Sequence, residues 1–157
     1  MTTSAASRSR RVRERGTAQL TVLFDANIIF DLLLWREPWC HDAVALFEAV
    51  AEKRVRGHVA VHTIATLWYV LSREIGPESA RRALRQVLDS LAVAPLDGTD
   101  LRRALELPTP DFEDACQIAV AERAGAEMMV TRDARHYRGA PVAVISPAHL
   151  VAQLGGF

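Results

Sequence analysis

The sequence predicts an α/β fold: a mostly parallel central sheet flanked by helices on both faces. Three observations carry this prediction. After residue 18, short apolar runs alternate with helix-length amphipathic segments to the end of the chain. The run LTVLF is apolar and rich in β-formers, as in a strand covered on both faces. The length of 157 residues suffices for one domain with a sizeable core and is too short for two.

Each element follows from its own residues. Leu20–Phe24 is predicted as a buried strand ending at Asp25. Residues 26–34 form a helix that stops before Glu37-Pro38. Residues 41–53 form a second helix with Val44, Phe47 and Val50/Ala51 on one stripe. A strand at 57–61 leads to a helix at 63–75, ended by Gly76-Pro77. Pro77–Ser90 is a helix with Arg81, Arg82 and Arg85 on its solvated side. A strand at 92–95 precedes a helix at 99–107 with Thr99 as N-cap.

Pro108-Thr109-Pro110 is a rigid break. The helix at 111–124 is rich in small apolar residues (Ala115, Cys116, Ala119, Val120, Ala121), suited to close packing on a sheet, and Gly125 ends it. Strands at 127–130 and 141–145 follow, and Ser146-Pro147 opens a last helix to Leu154.

Residues 1–18 are mostly Ser, Thr, Ala, Arg and Gly without periodicity, and are predicted as a disordered, Arg-rich N-terminal tail. The net charge is zero, but Arg8, Arg10, Arg11, Arg13 and Arg15 all lie in that tail, so the remainder is acidic. An acidic body that handles phosphate needs a cation or local arginines to offset repulsion. The apolar stretch after the tail is interrupted by Asp25, Asn27 and Asp31, which argues against a signal peptide or membrane span and for a cytoplasmic protein. Cys40 and Cys116 sit in no CxxC or His/Cys ligand pattern and read as reduced, partly buried thiols.

In open parallel sheets ligands bind at the carboxyl ends of strands. Asp25 stands at one such end and Asp133 just beyond another. Asp114 lies in the first turn of the helix that leads into the second of these strands, with Asp111 three residues earlier on nearly the same face. Clustered carboxylates without His or Cys suit hard cations such as Mg²⁺ or Mn²⁺, which keep the acids ionised and assist phosphate chemistry. Helix capping accounts equally for each acid taken singly: Asp25 as an N-cap, Asp111 and Asp114 as a D-x-x-D capping pair, Asp133 as a turn cap. Arg132 and Arg135 read either as phosphate contacts or as surface charge.

VLFDANIIFDLLL resembles the opening of PIN domains, where a strand delivers the first catalytic aspartate. DFEDACQIAVAERAGAEMMVTRDARHY resembles the C-terminal half of the same family, and the likeness spans residues 22–145. The family holds metal-dependent ribonucleases, many of them VapC-like toxins paired with an antitoxin. The resemblance therefore implies a PIN-like domain over residues 19–157 and an endoribonuclease that hydrolyses RNA phosphodiester bonds. It implies Asp25, Asp114 and Asp133 as catalytic residues and metal ligands for Mg²⁺ or Mn²⁺, and Asn27 and Thr131 as polar positions beside them. Asp111 has no firm counterpart and is a secondary candidate. A cognate antitoxin and a homodimer are implied partners.

The sequence departs from the family at the second acid, where Thr66 stands in place of a Glu. A hydroxyl carries no charge and binds Mg²⁺ weakly. Either three aspartates suffice, or Asp111 or Asp31 compensates, or the chain is a weakened or silent module that binds RNA or an antitoxin. A phosphatase of the haloacid-dehalogenase kind needs D-x-D after the first strand, where this chain has Asp25-Ala26-Asn27, and no GxGxxG or P-loop is present. Trp68 and Tyr69 read as core or interface, and Trp35 and Trp39 as loop packing or a partner contact. The five histidines (His41, His58, His62, His136 and His149) are scattered without ligand spacing, and only His136 falls near Asp133.

Overall fold

A computed structural model describes residues 19–155, and the predicted tail at 1–18 lies outside the described residues. The element order is β1 (Leu20–Phe24), α1 (Ala26–Leu33), α2 (Cys40–Ala51), β2 (Val55–Ala60), α3 (Val61–Glu74), α4 (Pro77–Ser90), β3 (Ala92–Ala94), α5 (Gly98–Glu106), α6 (Phe112–Arg123), β4 (Met128–Val130), a 3₁₀ turn at Ala134–Tyr137, β5 (Ala143–Ile145) and α7 (Pro147–Gln153). The five strands form one sheet in the order β3-β2-β1-β4-β5. Every pairing is parallel, so the sheet is wholly rather than mostly parallel.

Strand alternation divides the core. Val22, Phe24, Val55, Val59 and Val130 point to one face, where they meet residues of α1, α2, α3, α4 and α7. Leu23, Ala60, Ala94 and Met129 point to the other, beneath Ile118, Val120 and Ala121 of α6. Helices thus cover both faces, which is why LTVLF has no polar alternation. On the first face Gly57 admits a close approach. A Cβ there would fall 2.6 Å from Leu91 Cδ2 and 2.8 Å from Phe24 Cε2. Gly57→Ala is therefore expected to cost about 1–3 kcal/mol through overpacking. Urea unfolding checks this, and an unchanged midpoint would show that Leu91 yields freely.

Two expectations change. Thr99 is not the cap of α5. Asp97 is, accepting from the Thr99 and Asp100 amides at 2.9 and 3.2 Å, while Asp100 returns a bond to the Asp97 amide at 2.8 Å. This reciprocal capping box starts the helix one residue early and makes Thr99 part of its first turn. Tyr69 is not core: it is 57% exposed, and Trp68 is partly exposed beside it. Cations cover both rings, with the Arg73 guanidinium 3.9 Å above Tyr69 and that of Arg81 5.3 Å from Trp68.

Candidate active site

The carboxyl ends of β1 and β4 lie side by side, with Phe24 opposite Val130 and Val130 opposite Ile145. Asp25 stays tied to this edge through its amide, which donates to the Val130 carbonyl at 3.0 Å. Its side chain does two things. Oδ1 caps α1 by accepting from the Ala26 amide at 2.7 Å. Oδ2 accepts from the Thr131 hydroxyl at 2.7 Å and from Asn27 Nδ2 at 3.3 Å. Thr131 is fully buried, and its Oγ1 in turn accepts from the Asp133 amide at 3.1 Å. One hydroxyl therefore couples the ends of both strands.

The third acid comes from α6. Asp111 caps that helix, accepting from the Asp114 amide at 2.9 Å, and so sets where the first turn presents Asp114. Tyr137 OH donates to Asp114 Oδ1 at 3.3 Å. His136 spans two acids, with Nε2 3.1 Å from Asp133 Oδ2 and Nδ1 3.6 Å from Asp114 Oδ2. Burial pushes the Asp114 carboxyl above the usual carboxylate range. The charge of Asp111 pushes the same way and Asp25 adds to it, while His136 and Tyr137 oppose the shift. The Tyr137 phenol is driven far up, by burial first and then by Asp25 and Asp114, so it remains a donor.

Thr131 thus links Asp25 to Asp133, and His136 links Asp133 to Asp114, with Asn27 beside Asp25 and Asp111 beside Asp114. Arg135 is exposed, its Nε 3.4 Å from Asp133 Oδ1. Two residues lie elsewhere. Asp31, weighed above as a compensating acid, is 1% exposed and accepts a fork from Arg132 at 2.6 and 3.0 Å. That guanidinium also rests 4.1 Å from the Trp39 ring. Arg132 thus forms an ion pair between α1 and the end of β4, and Trp39, partly exposed, packs against its guanidinium.

Thr66 is half-buried on α3 and brings no carboxylate. One turn earlier on the same helix is His62, whose two ring nitrogens are buried without a hydrogen-bond partner among the described residues. Burial holds its pKa below the usual histidine value, and the Glu113 carboxylate opposes this. Next to it, Thr63 Oγ1 accepts from Gln117 Nε2 at 3.3 Å, fastening α3 to the helix that carries Asp114. The contact of Tyr137 with Asp114, and those of His136 with both Asp133 and Asp114, have no local signal in the sequence.

The donors are oxygens, the type that hard divalent cations take. Asp114 is destabilised as an anion by burial first and then by like charges, and a cation would relieve the charge part. Asn27 Oδ1 adds a buried oxygen with no partner among the described residues. The pH dependence follows from the shift. Asp114 ionises only above the ordinary carboxylate midpoint, about 3.9, so its cation affinity rises as pH climbs through the elevated value. Asp111→Asn keeps the cap but removes the second cause of the shift, and is expected to move the Asp114 midpoint down. Carboxyl-carbon NMR of the cation-free protein measures it. An unmoved midpoint would assign the shift to burial alone.

Comparison with known proteins bears on the fold and the family. The PIN domain family profile matches residues 21–135. No curated protein matches the chain. Among solved structures, VapBC2 from Rickettsia felis bound to a promoter DNA fragment is similar, with TM-score 0.66 and 15% identity, covering 81% of this chain and 98% of that one. VapC20 from Mycobacterium tuberculosis, a sarcin-ricin loop cleaving toxin, gives TM-score 0.59 at 18% identity, covering 73% and 92%. A toxin–antitoxin complex from Klebsiella pneumoniae gives 0.62 at 21% identity, covering 80% and 97%. At these identities the structures speak to fold alone. With the profile spanning β1 to the 3₁₀ turn, and the sheet order and acid edge described above, the chain belongs to the PIN-domain family.

Proposed function

We propose that this protein is a divalent-cation-dependent endoribonuclease and the toxin of a toxin–antitoxin pair. The observation that carries the reading is the linked network of Asp25, Thr131 and Asp133, which His136 extends to Asp114, an acid raised by burial and by the charge of Asp111. These three would hold Mg²⁺ or Mn²⁺. Such a cation, when bound, lowers the pKa of water and stabilises charge growing on a phosphodiester. The protein's own groups prepare the acids. Thr131 and Asn27 fix the aim of Asp25 Oδ2, and Tyr137 holds Asp114 as a permanent donor. Arg135, largely exposed beside Asp133, is placed to meet an RNA phosphate. Hydrolysis in line leaves 5′-phosphate and 3′-hydroxyl ends.

The similar structure from Klebsiella pneumoniae is described as a toxin–antitoxin complex, which supports an antitoxin partner for this chain. An arginine of that partner reaching the carboxylates would satisfy the same charges as a cation. Homodimerisation is proposed on the same footing, with the exposed Trp68 and Tyr69 as its natural surface. Among the described residues no helix is long and apolar enough to cross a membrane. A cytoplasmic location is proposed with the RNA substrate.

The test is RNA cleavage by the full chain with Mg²⁺ or Mn²⁺, beside Asp25→Asn, with end-group mapping of the products. Equal cleavage by both proteins would trace the activity to a contaminant and end the proposal. A second reading, a silent module that binds RNA or antitoxin, is favoured by the lack of a carboxylate at Thr66. Calorimetric titration with Mn²⁺ separates the two, because a silent module has no need of the metal. Under the nuclease reading, Thr66→Glu is expected to change cleavage by less than about tenfold, which is about 1.4 kcal/mol of barrier. A silent wild type gaining cleavage in that variant would decide for the second reading.

A further inference from the structure

A second group of potential ligands lies apart from these carboxylates, where the loop after α1 enters α2. Glu37, Cys40 and His41 each offer one ligand atom there, and the three atoms lie within 4.8 Å of one another. His41 Nε2 is 2.8 Å from Glu37 Oε2. Cys40 is fully buried beneath this exposed pair. The chain path holds them together. The Arg36 amide donates to the Asp31 carbonyl at 3.0 Å and the Cys40 amide to the Arg36 carbonyl at 2.9 Å, folding the loop back on itself. The Trp35 ring meets His41 edge-on, with centroids 5.6 Å apart, and sets the plane of the imidazole.

The chemistry of the three groups is complementary and unfinished. The Glu37 carboxylate lies near both the Cys40 sulfur and the His41 imidazole. A cation placed between the donors favours thiolate. Sulfur, imidazole nitrogen and one carboxylate oxygen make a borderline-soft set, unlike the oxygen donors around Asp25. The spacing is E-x-x-C-H, which a search for CxxC or His/Cys pairs passes over.

We propose that Glu37, Cys40 and His41 form a binding site for Zn²⁺ or a similar thiophilic divalent cation, with water completing a four-coordinate shell. Binding replaces the Cys40 S–H bond with a sulfur–metal bond and releases that proton to solvent. No electron is transferred. The ring nitrogen and the carboxylate oxygen ligate by their lone pairs.

Co²⁺ is the probe, added to the reduced full chain in excess Mg²⁺ to saturate hard-cation sites. The expected result is a one-to-one near-ultraviolet thiolate-to-cobalt absorption that Zn²⁺ displaces. Cys40→Ser removes that absorption and Cys116→Ser keeps it. Asp25→Asn also keeps it, which separates this site from the aspartate cluster. His41→Ala and Glu37→Gln alter exposed side chains and leave the core intact. Each is expected to weaken Zn²⁺ binding by at least the roughly tenfold seen for loss of a group that merely supports a ligand. Absence of the absorption in the wild type would overturn the proposal, as would its survival in Cys40→Ser. Unchanged Zn²⁺ affinity in both His41→Ala and Glu37→Gln would do the same.

Discussion

Asp114→Asn is expected to lower the cleavage rate by about 10²–10³-fold, the usual loss when one group that stabilises transition-state charge is removed. The same substitution is expected to raise the thermal stability of the cation-free protein. Both effects have one cause. The Asp114 carboxyl is raised in the folded state by burial and by Asp111, with Asp25 adding, so its ionised form costs stability. For a carboxyl with a raised folded pKa the penalty is absent below the unfolded value. It grows as pH rises and is complete above the folded value. The variant carries no such penalty and keeps an oxygen to accept from Tyr137. Its advantage in Tm should therefore be present at neutral pH and shrink towards about pH 4, near the unfolded carboxyl value. Single-turnover cleavage and thermal melts at the two pH values measure both halves. A variant that cleaves like the wild type removes Asp114 from the chemistry. One that melts lower at neutral pH shows that its charge is compensated in the fold.

The second large effect is structural. Arg132→Leu is expected to destabilise the protein by about 3 kcal/mol, the low end of the range for breaking a buried ion pair, because the arginine is itself partly exposed. The loss comes from Asp31, which would be left charged and enclosed with no partner. Asp31→Leu combined with Arg132→Leu should recover much of it, since apolar replacement of both partners is often neutral. Urea unfolding of the single and double variants closes the cycle. A loss in the single variant below about 1 kcal/mol would place the pair among exposed bridges of small worth. Arg132 separates Thr131 from Asp133, so the single variant should also loosen the coupling between the two strand ends.

Much of the fold was legible because its signals are local. LTVLF, the helix at Pro77–Ser90 and the Ser146-Pro147 start each carry their own period or cap, and the structure has them within a residue or two. Thr99 misled because two capping residues stand close together, and only the backbone decides that Asp97 leads and Thr99 follows. The acids could be placed at strand ends from sequence, yet capping or ligation could not be chosen. Asp25 explains why: it caps with one oxygen and meets Thr131 with the other. The Asp31–Arg132 pair joins residues about a hundred positions apart and leaves no local trace. His62, His136 and Tyr137 are likewise defined by what other elements bring beside them.

The strand order has a consequence for how such a protein can diversify. Two of the acids hang from β1 and β4, which are neighbours inside the sheet, while β3 and β5 form its margins. Growth, shortening or resequencing at either margin leaves the inner pair in register. The surface around the acids can then change while the carboxylates keep their spacing.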